Sequence, residues 1–388
     1  MTRGETGPSR LRVLLATHSS DRGSTSRTLE GWVRRLPDHG IAPTVTIGGA
    51  GPLYDALSGA GVHVEVLPIR VFPSKSWPFP FLAAVLRYVR LIRRVRPHLV
   101  HVNEHEHYPV VAYAARLTKT PIVVHVRFRP LREHCAWLFK RPYDPARVFF
   151  TSETQQSEVG PNLEGIVARD KWRLLRNAVD LSAFEPDQTA RTRLRESWAL
   201  DAGTVALGTA SSISPRKRLD HVIRVVHDLR REGCDVRGFI AGMPYFAEDH
   251  AELDRLRRLI DELGVAESVT LLGYVEPVKP LYDAWDVCFS TSEYESFGMT
   301  VLESMACGCP VVAYPGGAVE EVLATAGMIV RDGDLGALTD ATRRLVQSAD
   351  LRAEIGALAR QRAASFDIEA STAELAREYR AVVGARAS

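Results

Sequence analysis

Twice along this 388-residue chain, short apolar runs alternate with longer amphipathic segments, and few folds accommodate that order. An unbroken apolar run suits a strand buried on both faces, and the segment after it suits a helix laid across the sheet. Repetition of the pair predicts a parallel sheet wound by helices. In the first half Leu11–Ala16, Ala42–Ile47, Val62–Leu67, Leu99–Asn103, Ile122–Arg127 and Val148–Thr151 read as strands. Helices are expected over Thr25–Leu36 and Phe81–Arg96, the latter ended by Pro97. The pattern then begins afresh, with strands at Val205–Ala210, Gly238–Ala241, Val269–Leu272, Val287–Ser290 and Pro310–Tyr314. Between them lie helical stretches Leu219–Glu232 and His250–Leu263, and from about Leu335 the tail reads as helix almost to its end. The polar stretch Asp180–Gly203, carrying Pro186, separates the halves, with a hinge near Phe184–Asp187. The fold class is therefore α/β, with two doubly wound parallel-sheet domains over 1–183 and 184–367.

Composition narrows the function. Forty-nine basic against 47 acidic residues leave a net charge of +2, so no global field favours nucleic acid. The first ten residues, Met1–Arg10, read as a loose polar leader without the apolar stretch of a signal peptide. No run is apolar enough to span a membrane, and the expected location is cytoplasmic. Cys135, Cys234, Cys288, Cys307 and Cys309 are scattered, and all five read as small buried residues in a reducing compartment.

The most informative stretch is Val287–Tyr314, which reads strand, loop, short helix, turn, strand. Gly298 permits a tight entry into a helix over Met299–Ala306, and Gly308 with Pro310 ends it. The free N–H groups at such a helix start suit a diphosphate. Glu295 just before that start and Glu303 on the helix frame it, and carboxylates pair well with vicinal sugar hydroxyls. The same two residues also suit a solvated loop and helix surface.

Glu295-Ser-Phe297-Gly298-Met-Thr-Val-Leu-Glu303 resembles the E-x-F-G-x-x-x-x-E signature of family 4 retaining glycosyltransferases, whose architecture is the GT-B fold. Ser292 before it, Met305–Val312 after it, and Gly316-Gly317 with Glu320 are similar to the family's flanking residues, and the likeness runs from about Leu11 to Arg380. It implies two Rossmann-like domains facing across a cleft, with the last helix (368–388) crossing back onto the first. It also implies an enzyme that moves a sugar from a nucleotide-diphosphate sugar to a hydroxyl acceptor: a glycan, a lipid or a small natural product. On that resemblance Glu303 holds the donor ribose, Glu295 contacts the transferred sugar, and the backbone at Phe297, Gly298, Met299 and Thr300 meets sugar hydroxyls and the distal phosphate. Ser211–Asp220 resembles the family's diphosphate loop, which puts Lys217 on the leaving group, where a fixed cation stabilises growing charge. Ser212 stands where the family has arginine and Arg218 where it has glycine. Either Arg216 or Arg218 supplies the missing charge, or diphosphate binding is weaker. Gly242 matches a glycine turn near the donor, with Met243 replacing that turn's second glycine. Tyr274 follows the segment that resembles the base-binding one.

In the first domain the loop Thr17–Ser26 holds Gly23 but no G-x-G-x-x-G, which argues against a nicotinamide or flavin. The resemblance turns this loop to the cleft and sets Gly23 near the donor phosphate and the acceptor. Arg127 occupies the position of a family histidine at a strand end, and His125 lies two residues earlier on the same strand face; either could line the cleft and act in catalysis. Asn103, Glu104 and His105 are expected to recognise the acceptor. The surrounding cluster His101, Glu104, His105, Glu106, His107 also invites a metal reading, but no metal and no cofactor are expected, and Asp332-Gly-Asp334 does not look like a metal-binding pair. Phe79–Arg96, with arginines along one face, could touch an anionic membrane or be an ordinary sheet-covering helix, and Val71–Phe81 could shape an acceptor pocket. The sequence leaves the oligomeric state open. Two rivals share the fold: a sugar-nucleotide epimerase or disaccharide phosphorylase, and a non-catalytic sugar-nucleotide-binding module.

Overall fold

The computed structural model describes residues 10–68, 79–139 and 143–385. The leader at residues 1–9 and most of the loop Val71–Phe81 lie outside the described residues. The chain forms two compact units, one of residues 1–178 with 368–388 and the other of residues 179–367. The division falls at Ala178–Val179, a few residues before the hinge expected at Phe184. Packing explains the difference: Leu181 and Phe184 lie on the core of the second unit, with the Phe184 ring 6.4 Å from that of Tyr282.

The first unit carries strands β1 (Leu11–Ala16), β2 (Ile41–Ile47), β3 (His63–Val66), β4 (Leu99–Val102), β5 (Ile122–Val126), β6 (Arg147–Phe150) and β7 (Trp172–Leu174). They form one parallel sheet in the order β3-β2-β1-β4-β5-β6-β7. Along β1, Val13 and Leu15 join the core on one face while Leu14 and Ala16 join that on the other, which is why the run shows no polar alternation. The last helix, Ile368–Gly384, belongs to this unit. Its Ile368, Leu375 and Tyr379 share a core with Trp32 and Leu36 in and just after the helix Ser24–Arg35. Gly31 permits that approach, since a Cβ there would sit 2.8 Å from Ile368 Cδ1.

The second unit carries β8 (Val205–Ala210), β9 (Val236–Ala241), β10 (Val269–Gly273), β11 (Val287–Ser290), β12 (Val311–Ala313) and β13 (Met328–Ile329). Its order is β10-β9-β8-β11-β12-β13, again all parallel. Both units are thus Rossmann-like. Each sheet reverses its winding once, between β1 and β4 and between β8 and β11, and the crevice at such a reversal is where ligands bind. The sequence pattern did not reveal β7 and β13, two short strands of two or three residues at sheet edges. All five cysteines are free; four are buried, but Cys234 is only half-buried, because it sits in the turn after the helix Leu219–Arg231. Among the described residues no helix is long and apolar enough to cross a membrane.

Candidate active site

At the winding reversal of the second sheet, the loops that leave β8 and β11 lock together. Lys217 ends a short turn, Pro215–Lys217, and its carbonyl accepts a 2.7 Å hydrogen bond from Thr291 Oγ1 just past β11. Its buried ammonium donates to Glu295 Oε1, and Ser292 Oγ donates to the same oxygen at 2.7 Å. Burial pushes the Glu295 carboxyl up, but the Lys217 charge and these hydrogen bonds outweigh it and hold the group below its ordinary range. Gly316 and Gly317 fix the loop backbone: a Cβ on Gly316 would lie 2.5 Å from Ser292 O, and one on Gly317 2.2 Å from Glu295 O. Only glycines admit so close a clasp.

Gly298, at φ 94°, turns the chain into the helix Met299–Ala306. Thr300 Oγ1 donates to Ala210 O at 2.6 Å and ties the helix start to the end of β8. The side chains of Phe297 and Met299 lie in the core, so their backbone is what they can offer a ligand. Glu303 is buried one turn in, and its Oε2 accepts from Tyr282 Oη at 3.0 Å. A carboxylate enclosed like this is costly unless hydrogen-bonded.

The departures from the family pattern resolve unequally. Arg218, in the left-handed region at φ 48°, is tied to Glu293 and to Asp332 at 3.3 and 2.6 Å and lies over the Tyr314 ring. Arg216 is exposed, donates to Tyr294 O, and lies near enough to Glu295 to help lower its pKa. Asp334 caps the helix Leu335–Gln347, so both aspartates of Asp332-Gly-Asp334 are used structurally. Gly242, at φ 149°, is required by packing: a Cβ there would fall 1.7 Å from Ser211 O. Met243 and Tyr274 stand exposed beyond β9 and β10.

The first sheet gathers polar groups at its own reversal. Thr17 and His18 follow β1, Asn103 and Glu104 follow β4, and Arg127 follows β5. Arg127 Nε donates to Asn103 O at 3.0 Å and Nη2 to Asn103 Oδ1 at 2.6 Å, and Nη1 donates to Asn177. Burial lowers the Arg127 pKa to about 10, which leaves it a cation near neutral pH. Glu104 Oε1 accepts from Thr17 Oγ1 at 2.8 Å and Asn103 Nδ2 at 2.6 Å. His105 is buried, with its Nδ1 3.4 Å from the Arg127 backbone nitrogen. Gly23 precedes the helix Ser24–Arg35 with open space where a Cβ would be.

His125 does not join this group. It is fully enclosed, stacked 5.6 Å from the Trp32 ring and 5.9 Å from His101, because its side of β5 faces the helix Ser24–Arg35. Its position is that of a core residue, whereas Arg127, one step past the strand end and itself 2% exposed, bonds to Asn103 and Asn177 at the sheet reversal. The histidine cluster also divides. His101 points into the core, its Nδ1 2.6 Å from Tyr379 Oη, whereas His107 comes together with Glu104 and His18. The sequence reading set the loop Thr17–Ser26 at the cleft without singling out Thr17 or His18, although their place just after a buried run was the available signal.

The sequence model of the family Glycosyl transferases group 1 matches residues 190–362, and that of the Glycosyl transferase 4-like domain matches residues 23–168. The alpha-D-kanosaminyltransferase of Streptomyces kanamyceticus is 26% identical over 354 residues, covering 83% of this chain and 89% of that protein. The GDP-mannose-dependent alpha-(1-6)-phosphatidylinositol monomannoside mannosyltransferase of Mycolicibacterium smegmatis is 34% identical over 194 residues, 47% of this chain and 49% of its own length. Among solved structures, Anabaena HepE in complex with UDP and glucose superposes with a TM-score of 0.82 at 19% identity, over 95% of this chain and 99% of that one. A glycosyltransferase from Rickettsia africae gives 0.81 at 17% identity, over 96% and 99%. The family model Glycosyl transferases group 1 falls on the second unit and the Glycosyl transferase 4-like domain on the first, and together with the fold they lead to one assignment: the chain is a glycosyltransferase of the GT-B fold.

Proposed function

We propose that this glycosyltransferase moves a sugar, with retention at the anomeric carbon, from a nucleoside-diphosphate sugar bound by the second unit to a hydroxyl acceptor bound by the first. The observation that carries the reading is the placement of Lys217, Glu295 and Glu303 around one sheet reversal and one helix start. Lys217 meets the charge that grows on the departing diphosphate, and Arg216 supplies the second positive charge. Glu303 accepts from the ribose hydroxyls, Glu295 from those of the transferred sugar, and the N–H groups at Met299 and Thr300 serve the distal phosphate. Gly242 and Tyr274 contribute backbone or exposed surface beside the donor. Lys217 and Arg216 neutralise the leaving group in this scheme, so no divalent metal is called for. The leaving phosphate oxygen takes the proton of the attacking hydroxyl, which is what a retaining transfer without a side-chain base requires. Asn103, Glu104, His105 and Arg127 hold the acceptor. UDP sugars are the first donors to try, given the UDP and glucose bound to HepE.

A second reading concerns location. We infer a cytoplasmic enzyme that rests on anionic lipid through the helix Phe79–Val95, whose outer face exposes Phe79, Leu82 and Leu86 ahead of Arg90 and Arg93.

Thermal shift against UDP, GDP, ADP, CDP and their common sugar conjugates tests the donor assignment. A nucleotide at about 100 times its dissociation constant stabilises the fold by about 2.7 kcal/mol. One nucleotide should shift the wild type and not Glu303→Ala; no shift with any of them overturns the assignment.

A further inference from the structure

The crevice between β1 and β4 holds a cluster that the donor scheme does not use. One nitrogen or oxygen atom each from His18, Glu104 and His107 lies within 4.8 Å of the others. The rings of His18 and His107 are 5.0 Å apart, and His18 Nδ1 is 3.6 Å from Glu104 Oε2. Glu104 and His107 are each 2% exposed, whereas the His18 side chain is 41% exposed. A ligand therefore meets His18 first, with the other two behind it.

The cluster is short of partners. Glu104 Oε1 already accepts from two donors, Oε2 has only His18 Nδ1 at 3.6 Å, and His107 Nδ1 is buried with no hydrogen-bond partner. Groups left like this cost free energy until something pairs with them. A metal cation, an ammonium group or hydroxyl groups could do so. Arg127 decides between them. Its buried guanidinium donates to Asn103 Oδ1 at 2.6 Å and Asn103 Nδ2 donates to Glu104 Oε1 at 2.6 Å, so a second cation would enter beside a fixed positive charge. Hydroxyl donors are neutral and meet no such opposition. Adjacent hydroxyls on a sugar or cyclitol ring offer two donors side by side, which suits acceptors grouped this closely.

Resting on the reading that the first unit takes the acceptor, we propose that His18 is the residue that contacts it, as the exposed member of a polyol site whose other members are Glu104 and His107. Glu104 positions His18, and Thr17 and Asn103 position Glu104. The titratable groups facing His18 are Glu104, Glu106, His105 and His107. The Glu104 carboxylate beside it outweighs burial and raises the His18 pKa above 6.5. The neutral ring accepts a hydroxyl hydrogen at its outer nitrogen, and the protonated ring does not.

The test is nitrogen-15 NMR of the histidine rings in the full chain, with UDP present, titrated with myo-inositol and with methyl α-D-glucopyranoside. At least one polyol should move the His18 and His107 signals. His18→Ala should weaken its binding about tenfold, the loss of one hydrogen bond, while UDP affinity stays the same. Polyol affinity should fall as pH drops through the His18 pKa, and in Glu104→Gln that midpoint should move down towards 6.5. If neither polyol moves a histidine signal, or His18→Ala binds as well as wild type, the proposal is wrong. Stoichiometric Zn2+ binding that moves the same signals, is lost in His107→Ala and accompanies no polyol response replaces it with a metal site. Absence of UDP binding in wild type counts against the donor assignment alone, because the histidine signals report the polyol independently.

Discussion

The ammonium of Lys217 is hydrogen-bonded to the carboxylate of Glu295, 78 residues further along the chain. The pair spans the two loops that leave β8 and β11, and each partner compensates the cost of burying the other. In the proposed donor site a diphosphate competes with Glu295 for that ammonium. On that proposal Lys217 acts mainly on charge that develops during reaction, so Lys217→Ala should slow transfer by about 10²–10³-fold while changing donor affinity much less. Separate measurement of kcat and of the donor dissociation constant checks this. Equal loss in both would make Lys217 a simple binding residue.

The same pair sets an acid limit on stability. The folded-state pKa of Glu295 is depressed below its ordinary value of 4.5, so its contribution is present above 4.5 and is lost as pH falls through the folded value. Melting temperatures from about pH 7 to about pH 3 should show Glu295→Gln less stable than wild type at neutral pH. The difference should shrink below pH 4.5. A constant offset across the range would mean that the charge contributes nothing.

Gly242 offers a purely steric prediction. Its φ of 149° and the 1.7 Å that would separate an added Cβ from Ser211 O leave no room for a side chain. Gly242→Ala should cost about 3 kcal/mol or more in chemical denaturation. Gly23 of the first unit, where a Cβ meets nothing, should tolerate alanine with little loss of stability.

The helix Phe79–Val95 carries a prediction about surfaces. Each basic residue near an anionic bilayer contributes about 1 kcal/mol. Replacing Arg90 and Arg93 by glutamate should abolish co-sedimentation with phosphatidylglycerol vesicles, and Leu82→Ser should weaken it. Vesicles of phosphatidylcholine alone should bind poorly throughout. If wild type ignores both kinds of vesicle, the helix is an ordinary cover for the sheet.

Much of this enzyme was legible from local pattern. Apolar runs marked eleven of the thirteen strands among the described residues; in most of them burial on both faces removes the polar alternation of a surface strand, whereas the edge strand β3 has no buried residue. The short edge strands β7 and β13 left too little pattern to notice. Gly298 and the spacing from Glu295 to Glu303 announced the helix start, since backbone conformation and helical pitch act over a few residues.

What the sequence determined by itself was thus the doubly wound fold class, the order of its elements and the family signature on the second unit. The tertiary structure alone decided which distant groups meet. It set Lys217 against Glu295 and left Arg218 braced between Glu293 and Asp332. It also turned His125 into the core and brought the unnoticed His18 to Glu104 across the neighbouring strands β1 and β4. The reason is physical: periodicity and turn chemistry are written between neighbours, whereas a buried charge finds its partner through strand order. In a parallel sheet that order brings together loops separated by an entire crossover.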